Sequence, residues 1–166
     1  MASSTDIPQF EIRVATESEV PVILSFIKKL AIYERLEHEL VATEELLRKT
    51  LFSGRRTAEV AIGYLEKDPV GFVLFFHNYS TFLGLPGIYI EDLFVDERYR
   101  RRGFGKSLLL YVARLAKARR CGRLEWSVLD WNEPAINFYK TLGAVPMSDW
   151  TIFRVTGPSL ERLASL

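Results

Sequence analysis

The stretch from Ile88 to Leu110 constrains the fold of this chain more than any other part of it, and it reads IYIEDLFVDERYRRRGFGKSLLL. Residues 88–95 are mostly apolar with several β-branched side chains, which predicts a buried strand. Residues 96–102 are polar and charged. From residue 103 to about residue 119, apolar side chains recur at three- and four-residue spacing, which predicts an amphipathic helix. The stretch therefore predicts a strand, a basic loop with glycine, and a helix.

This order of elements is typical of a site for a phosphate group. The N-terminus of a helix offers unpaired backbone N–H groups and the positive end of the helix dipole to an anion. Gly103 and Gly105 have no side chains, so a ligand can approach the backbone closely. The spacing is Arg-x-x-Gly-x-Gly, which is neither a Walker A motif nor GxGxxG. A solvated helix cap is the alternative interpretation. The basic residues around this point are Arg98, Arg100, Arg101, Arg102 and Lys106.

The composition and the net charge disfavour several classes of function. With 166 residues, 48% of them apolar and 26% charged, the chain is expected to form one globular domain with a substantial core. The net charge of +1 gives no bias toward nucleic acid or an anionic membrane. RNA binding through the basic loop is disfavoured, because the basic residues are confined to that loop and aromatic residues are not interleaved with them.

The cysteine and histidine content argues against a disulfide and against a metal site. Cys121 is the single cysteine, which fits a reducing cytoplasm. His38 and His77 are far apart and lack neighbours at ligand spacing, so no zinc is expected. The first ten residues do not resemble a secretory signal, and no uninterrupted apolar run has the length of a membrane helix. We therefore expect a cytoplasmic protein.

The remaining patterns predict strands and helices on both sides of the central stretch. A flexible tail over residues 1–9 precedes one domain over residues 10–166. Thr16 and Glu19 predict a capping box before the first helix, which we expect to continue to residue 37. The predicted order is β-α-α-β-β-β-α-β-α-β-β, a mixed α/β layer architecture. It includes a loop over residues 80–87 and a terminal strand pair over 144–147 and 151–155.

A second motif, NEPAINFYKTLGA, occupies residues 132–144. Pro134 suits the first turn of a short helix, and Gly143 suits its end. Together, the glycine loop and this motif resemble the GCN5-related N-acetyltransferase (GNAT) family over nearly the whole chain. The strand sequence Tyr-Ile-Glu-Asp at residues 89–92 is most similar to the diamine branch of that family, which includes spermidine/spermine-type and thialysine acetyltransferases.

The resemblance implies the GNAT (acyl-CoA N-acyltransferase) fold, an α/β fold in which a mixed central sheet is flanked by helices. It implies acetyl-CoA as the cosubstrate and no metal. In the family, the asparagine that matches Asn132 binds the pantetheine arm, and the tyrosine that matches Tyr139 is the general acid for the thiolate. A core role beside Phe138 is the alternative for that tyrosine. The cofactor-binding residues implied are Leu93, Phe94, Val95, Arg100, Arg101, Arg102, Gly103, Phe104, Gly105, Lys106, Asn132, Glu133, Pro134, Ala135 and Tyr139.

Two adjacent carboxylates, Glu91 and Asp92, lie in the otherwise apolar strand. Neighbouring strand residues point to opposite faces, so the two are expected to have different roles. A partly desolvated carboxylate is a suitable base for an amine that arrives protonated. By resemblance to the diamine branch, Glu91 is the candidate base. That both carboxylates pair with loop arginines is the alternative.

The same resemblance implies a set of substrate contacts: Tyr33, Glu34, Glu91, Asp92, Glu125, Trp126, Ser127 and Asp149. The glutamates at the end of the first helix would attract a cationic substrate, although a solvated helix end is the alternative. The loop over residues 80–87 lacks the aspartate and tryptophan of the spermine-acting enzymes. This departure leaves shorter diamines and lysine-like or thialysine-like amino acids as candidates.

These observations predict an acetyl-CoA-dependent N-acetyltransferase in which a small cationic amine attacks the thioester directly in a ternary complex. The family also implies a homodimer, with the chain around residues 150–155 at its interface. Nucleic acid and membrane are not expected partners. Two alternatives stay open: an acetyltransferase for protein N-termini or lysine side chains, and an acyl-CoA-binding regulatory module without turnover.

Overall fold

The structure, a computed structural model, describes Ser3–Ser4 and residues 7–166. Met1, Ala2, Thr5 and Asp6 belong to the predicted flexible tail and lie outside the described residues. The chain divides into two compact units, Met1–Ser127 and Val128–Leu166, and each is described by itself. No helix of the described part of the chain is long and apolar enough to cross a membrane.

The first unit is built on one six-stranded sheet in which the strands follow their sequence order. Every neighbouring pair is antiparallel except the last, in which β5 and β6 run parallel. Runs of consecutive buried side chains on the third and fourth strands show that both faces of the sheet are covered there. The strands are β1 (Ser3–Ser4), β2 (Phe10–Val14), β3 (Glu59–Leu65), β4 (Asp68–Ser80), β5 (Leu85–Val95) and β6 (Arg123–Trp126).

Three helices accompany this sheet: α1 (Val20–Glu34), α2 (Glu44–Leu47) and α3 (Phe104–Ala118). A π-helix continues α2 over Arg48–Phe52, and short 3-10 helices span Glu17–Glu19, Glu37–Glu39 and Glu97–Tyr99.

The capping box predicted before the first helix is confirmed, since the Thr16 and Glu19 side chains and backbones bond reciprocally. The predicted extension of that helix to residue 37 is wrong. Helix α1 ends at Glu34 because Arg35 adopts a left-handed φ of 63° and donates its N–H back to Ala31 and Ile32.

Helices α1 and α3 cover opposite faces of the sheet. On the α1 side, the Phe26 ring stacks on Phe72 at 5.6 Å and lies 6.0 Å from Phe94. On the other side, the Phe10 and Phe104 rings lie 4.4 Å apart. Gly63 of β3 faces this second layer, since a Cβ there would lie 2.7 Å from the Phe10 ring. The start of α3 is therefore fixed by aromatic packing against β2.

The predicted loop over residues 80–87 is wrong in extent. Strand β4 runs to Ser80 and β5 begins at Leu85, so only residues 81–84 form the turn. Gly87 is a strand residue because β4 passes close to it: a Cβ at this position would lie 2.3 Å from the Asn78 Oδ1 atom. The glycine therefore leaves room for the Asn78 side chain within the sheet and does not mark a turn.

The second unit contains α4 (Glu133–Thr141) and α5 (Gly157–Ala164). Asn132 caps α4 by accepting the Ala135 N–H at 3.4 Å, and Gly143 follows the helix with a left-handed φ of 85°. These features confirm the predicted helix. The predicted terminal strands 144–147 and 151–155 are absent, and both stretches are irregular. Neither stretch pairs with a strand. A β-strand needs a neighbouring strand to hydrogen-bond its N–H and C=O groups, so an apolar pattern without such a neighbour does not form one.

Candidate active site

The loop that leads into α3 has the backbone geometry of an anion site. Gly103 is the N-cap residue of α3 and has a φ of 84°. Because glycine has no side chain, it cannot cap the first N–H groups of the helix. Arg101 also has a left-handed φ of 62°. The first amides of α3 follow these left-handed residues and lie at the positive end of the helix dipole. Such a position can bind an anion, and the role of the loop in holding a pyrophosphate stays a prediction.

The strand before this loop has a free edge. Strand β6 pairs with β5 only from Gly87 to Ile90, and it ends at Trp126. Among the described residues no strand pairs with that edge of β5 from Glu91 to Val95. The three residues Leu93–Val95, predicted to bind pantetheine through their backbone, lie on this free segment. An extended ligand can therefore hydrogen-bond to β5 in the place of a strand.

Three carboxylates come together beside this edge, and we name Glu34, Glu91 and Asp92 the acidic cluster. Burial is the main cause that raises the pKa of Asp92, from 3.8 to about 7, and the nearby charges of Glu91 and Glu34 raise it further. Burial also raises the pKa of Glu34. Within the described part of the chain, none of the three forms an ion pair or a side-chain hydrogen bond. The described residues contain no group suited to hold a metal ion.

Arg98 and Arg100 of the loop pair with Asp96 and Glu97, and no ion pair joins a loop arginine to Glu91 or Asp92 among the described residues, which contradicts the alternative that the arginines neutralise these two carboxylates. The Asp96 carboxylate, 5% exposed, accepts two side-chain hydrogen bonds from Arg98 at 3.0 and 3.2 Å and one from Lys29 Nζ at 2.5 Å. The Arg98 and Lys29 groups hold the pKa of Asp96 well below its usual range. Asp96 therefore anchors the start of the glycine loop to α1.

Arg100, predicted to bind the cofactor, packs against Tyr33, which was predicted to contact the substrate. Its guanidinium stands 4.3 Å from the centre of the Tyr33 ring, and its Nε donates to the Val95 carbonyl at 3.1 Å. It also lies 3.6 Å from the Glu97 carboxylate. Sequence reasoning missed this contact between the loop and α1. The exposed side chains Arg101, Arg102 and Lys106 are the ones that face solvent around the predicted phosphate site.

The predicted substrate residues of β6 bind neighbouring strands. Glu125 accepts a hydrogen bond from Asn78 Nδ2 at 2.7 Å and lies 2.8 Å from Arg123 Nε. The hydroxyls of Ser127 and Tyr89 are hydrogen-bonded at 2.5 Å. Glu125 and Ser127 therefore have structural partners. No local pattern indicates Asn78, because its contact with Glu125 depends on the pairing of distant strands. Trp126 is partly buried.

The other predicted residues belong to the second unit. Asn132 caps α4, with Glu133 and Pro134 exposed in its first turn and Ala135 partly buried. The Tyr139 ring is partly buried and lies 5.4 Å from the Phe138 ring. Asp149 is exposed. The roles of these residues stay predictions.

Comparison with known proteins agrees with this geometry. The model of the Acetyltransferase (GNAT) family matches residues 28–144, which include the acidic cluster, the glycine loop and α4. An L-ornithine N5-acetyltransferase from Arabidopsis thaliana is 38% identical over 93% of this chain and 88% of that protein. A thialysine N-epsilon-acetyltransferase from Caenorhabditis elegans is 34% identical over 93% of this chain and 97% of its own length.

Solved structures share the fold. An integron cassette protein from the mobile metagenome of V. cholerae superposes with a TM-score of 0.80 at 25% identity, over 95% of this chain and 99% of that one. An aminoglycoside acetyltransferase from an uncultured soil metagenomic sample superposes with a TM-score of 0.74 at 20% identity, over 89% and 96% of the two chains. From the family match, these relatives and the geometry of the glycine loop, the chain belongs to the GNAT family of N-acetyltransferases.

Proposed function

We propose that this enzyme transfers the acetyl group of acetyl-CoA to a primary amine of a small cationic substrate, either a diamine, a polyamine or a lysine-like amino acid. The observation that carries the proposal is the acidic cluster, in which three carboxylates without a protein cation lie beside the free edge of β5. Such a cluster attracts an ammonium group. The relatives named for ornithine and thialysine support an amino acid with a side-chain amine.

The chain's own residues would bind and orient the two substrates. Acetyl-CoA, as the cosubstrate, supplies the activated acyl group. The amides of the Gly103 loop would hold its pyrophosphate, and the free edge of β5 and Asn132 would hold its pantetheine arm. A carboxylate of the acidic cluster takes the amine proton, a role that the family resemblance assigns to Glu91. Tyr139 gives a proton to the sulfur, and the amine attacks directly within a ternary complex.

The substrate proposal is tested by measuring CoA release from acetyl-CoA in the presence of an amine panel. The panel contains ornithine, lysine, thialysine, putrescine, diaminopropane, spermidine, spermine and peptides with a free N-terminus or lysine. We expect saturable turnover with a small diamine or a diamino acid. Turnover of the peptides alone would favour a protein acetyltransferase. Tight acetyl-CoA binding with no turnover of any amine would indicate a regulatory acyl-CoA-binding module.

Tyr139→Phe is expected to lower kcat by about 10²-fold, because a hydroxyl donor near the leaving sulfur stabilises its developing charge. The dissociation constant for acetyl-CoA should change less than about threefold, because the hydroxyl is expected to stabilise the transition state and not the bound ground state. Steady-state kinetics and calorimetry measure the two quantities. Tyr79→Phe removes the hydroxyl of an exposed tyrosine in the β4–β5 hairpin and serves as the control. An unchanged kcat in Tyr139→Phe would remove the acid assignment.

Gly103→Ala is expected to weaken acetyl-CoA binding by roughly 5- to 30-fold. Its φ of 84° is unfavourable for a residue with a Cβ, and that atom would lie 3.3 Å from Ile7 Cδ1, so the loop amides must shift. Gly84→Ala is the matched control, because Gly84 has a φ of 64° with no neighbour within 4 Å and lies in the distant β4–β5 turn. Calorimetric titration with CoA measures both. Equal affinities of the two variants would contradict the loop assignment.

We also propose that the enzyme acts as a cytoplasmic homodimer, as the family resemblance implies. The exposed apolar side chains of the second unit support an association: Trp150 is 71%, Ile152 74% and Phe153 91% exposed. A second copy that covers these side chains would remove them from water. Sedimentation equilibrium of the intact chain tests this proposal, and a monomer at micromolar concentration would reject it.

A further inference from the structure

We propose that Arg100 is a positioning residue for the amine substrate and that it acts through the Tyr33 ring. The inference rests on the proposed function, because it assigns a further residue to the same site. Arg100 belongs to the loop between β5 and α3, and Tyr33 lies in the last turn of α1. Tyr33 is followed directly by Glu34 of the acidic cluster. Through this contact the loop holds the end of α1 in the position that binds the amine.

Arg100 differs from the other basic residues of the loop in its burial and in its contacts. Its side chain is 33% exposed. Its Nε donates to the Val95 carbonyl at 3.1 Å, and its guanidinium lies 4.3 Å from the centre of the Tyr33 ring and 5.6 Å from that of the Phe94 ring. A planar group between two rings and a carbonyl has few orientations open to it. The other basic side chains of the loop are exposed: Arg98, Arg101, Arg102 and Lys106.

The ring of Tyr33 is the main partner of the Arg100 guanidinium. The carboxylate of Glu97 lies 3.6 Å away, but that side chain is 74% exposed, and water screens an ion pair of this kind. Tyr33 is half-buried. A guanidinium over an aromatic ring is attracted by the negative face of the ring, and partial removal from water strengthens this attraction. The contact with Tyr33 is therefore the one that a substitution of Arg100 chiefly removes.

The same loop contacts α1 at a second point, one helical turn earlier. Lys29 and Tyr33 are four residues apart, so their side chains lie on the same face of α1. Asp96 and Arg100 are also four residues apart, with the 3-10 helix Glu97–Tyr99 between them. The Lys29–Asp96 ion pair and the Arg100–Tyr33 contact thus hold the loop along one side of α1. Because two points fix a rod against rotation as well as translation, the loop also sets the orientation of the last turn.

The end of α1 needs this support because the chain leaves the helix directly after Glu34. Arg35 has a left-handed φ of 63° and ends the helix, and helix ends fray. The contact with Arg100 keeps the Tyr33 ring in place, and the neighbouring Glu34 carboxylate then keeps its position in the acidic cluster.

This assignment concerns the side chain of Arg100 and leaves the backbone of the loop to the cofactor. The N–H groups around Gly103, three residues further along, keep the role with the pyrophosphate that is proposed above. One loop then contacts both substrates' sites, the cofactor through its backbone and the amine through Arg100 and Tyr33. Bound CoA that orders the loop should therefore also order the Tyr33 ring.

Kinetics and calorimetry of variants at the two partners test the inference. Arg100→Lys keeps the positive charge but loses the planar group and its Nε–H donor. It should raise the KM for ornithine, or for the best amine of the panel, by about 3- to 30-fold. The dissociation constant for CoA should change less than about threefold. Arg114→Lys makes the same exchange at an exposed position of α3 and is the control, with both quantities unchanged.

A double-mutant cycle shows whether Arg100 acts through Tyr33. In the background of Tyr33→Leu, Arg100→Lys should raise the KM for the amine by less than about twofold, because the ring contact is already lost. Tyr33→Phe keeps a ring for the guanidinium and should lose less than Tyr33→Leu. Additive effects of Arg100→Lys and Tyr33→Leu would overturn the inference. So would a loss of CoA affinity in Arg100→Lys with an unchanged KM for the amine, since that result assigns the side chain to the cofactor.

A second measurement needs no turnover. In protein labelled with ¹³C-tyrosine, with Tyr33→Phe for assignment, the NMR signal of the Tyr33 ring should shift when CoA is added, and this response should be lost in Arg100→Lys. An unchanged signal at saturating CoA, or a response that persists in Arg100→Lys, would reject the role of Arg100. If Arg100→Lys does not fold, the response of the wild-type ring still decides. Absence of turnover with every amine would reject the proposed function, whereas the ring signal would still report whether the loop and Tyr33 are coupled.

Discussion

Asp92→Asn is expected to make the fold more stable above pH 7. The folded-state pKa of Asp92 is raised from 3.8 to about 7, so ionisation disfavours the folded state. The cost is absent below about pH 4, grows between about pH 4 and 7, and is complete above pH 7. At about 1.4 kcal/mol per pKa unit, the upper bound is roughly 4 kcal/mol, and residual solvent contact reduces it to about 1–3 kcal/mol.

Thermal unfolding of the wild type and the variant between pH 5 and pH 8 measures this effect. The advantage of the variant should increase with pH, by about 2–4 °C in Tm for each kcal/mol. The pH dependence separates the charge from any constant effect of the new amide. Asp130→Asn, at an exposed aspartate, is the control and should show no such trend. A variant whose Tm differs from the wild type by the same amount at every pH would show that Asp92 is not held in an unfavourable charged state.

Asp96→Asn should have the opposite effect, a loss of about 2–4 kcal/mol at neutral pH. The Asp96 carboxylate is 5% exposed and accepts hydrogen bonds from Lys29 and from the side chain and backbone of Arg98. When a buried carboxylate with hydrogen-bonded partners loses its charge, the positive charges of those partners are no longer neutralised, and this destabilises the fold. Because these partners lower its pKa, the stability that Asp96 contributes is present above about pH 4 and is lost as the pH falls toward the depressed folded-state value.

Urea unfolding at pH 7 and at pH 3 measures this contribution. The difference between Asp96→Asn and the wild type should be large at pH 7 and should shrink at pH 3, where the Asp96 carboxyl of the unfolded wild-type chain is largely protonated. The variant should also bind CoA more weakly, because Asp96 holds the start of the cofactor loop. Full stability and full CoA affinity at pH 7 would contradict the anchoring role of the Lys29–Asp96 contact.

The sequence predicted most of the elements because their signals are local. The strand, glycine loop and helix from Ile88 onward follow from periodicity, and the structure confirms them within a few residues. The capping box at Thr16 and the cap at Asn132 follow from short-range hydrogen bonds. The terminal strand pair was mispredicted, because a β-type pattern specifies a strand only when another strand lies beside it.

Tertiary structure alone decided which carboxylate is enclosed and which cation is already bound. The sequence predicts different roles for Glu91 and Asp92 but not which of them is buried. In the structure a bulge lies at Glu91, which is exposed, whereas Asp92 pairs with Leu74 and is partly buried. Likewise, nothing local indicates that Asp96 pairs with Lys29, 67 residues away, or that Arg100 lies on Tyr33. The sequence by itself determined the fold class and the strand–loop–helix order around the glycine loop, since both depend on local periodicity and turn chemistry. The proton affinity of each carboxylate depends on burial and on charges brought from distant parts of the chain, so only the packed structure could set it.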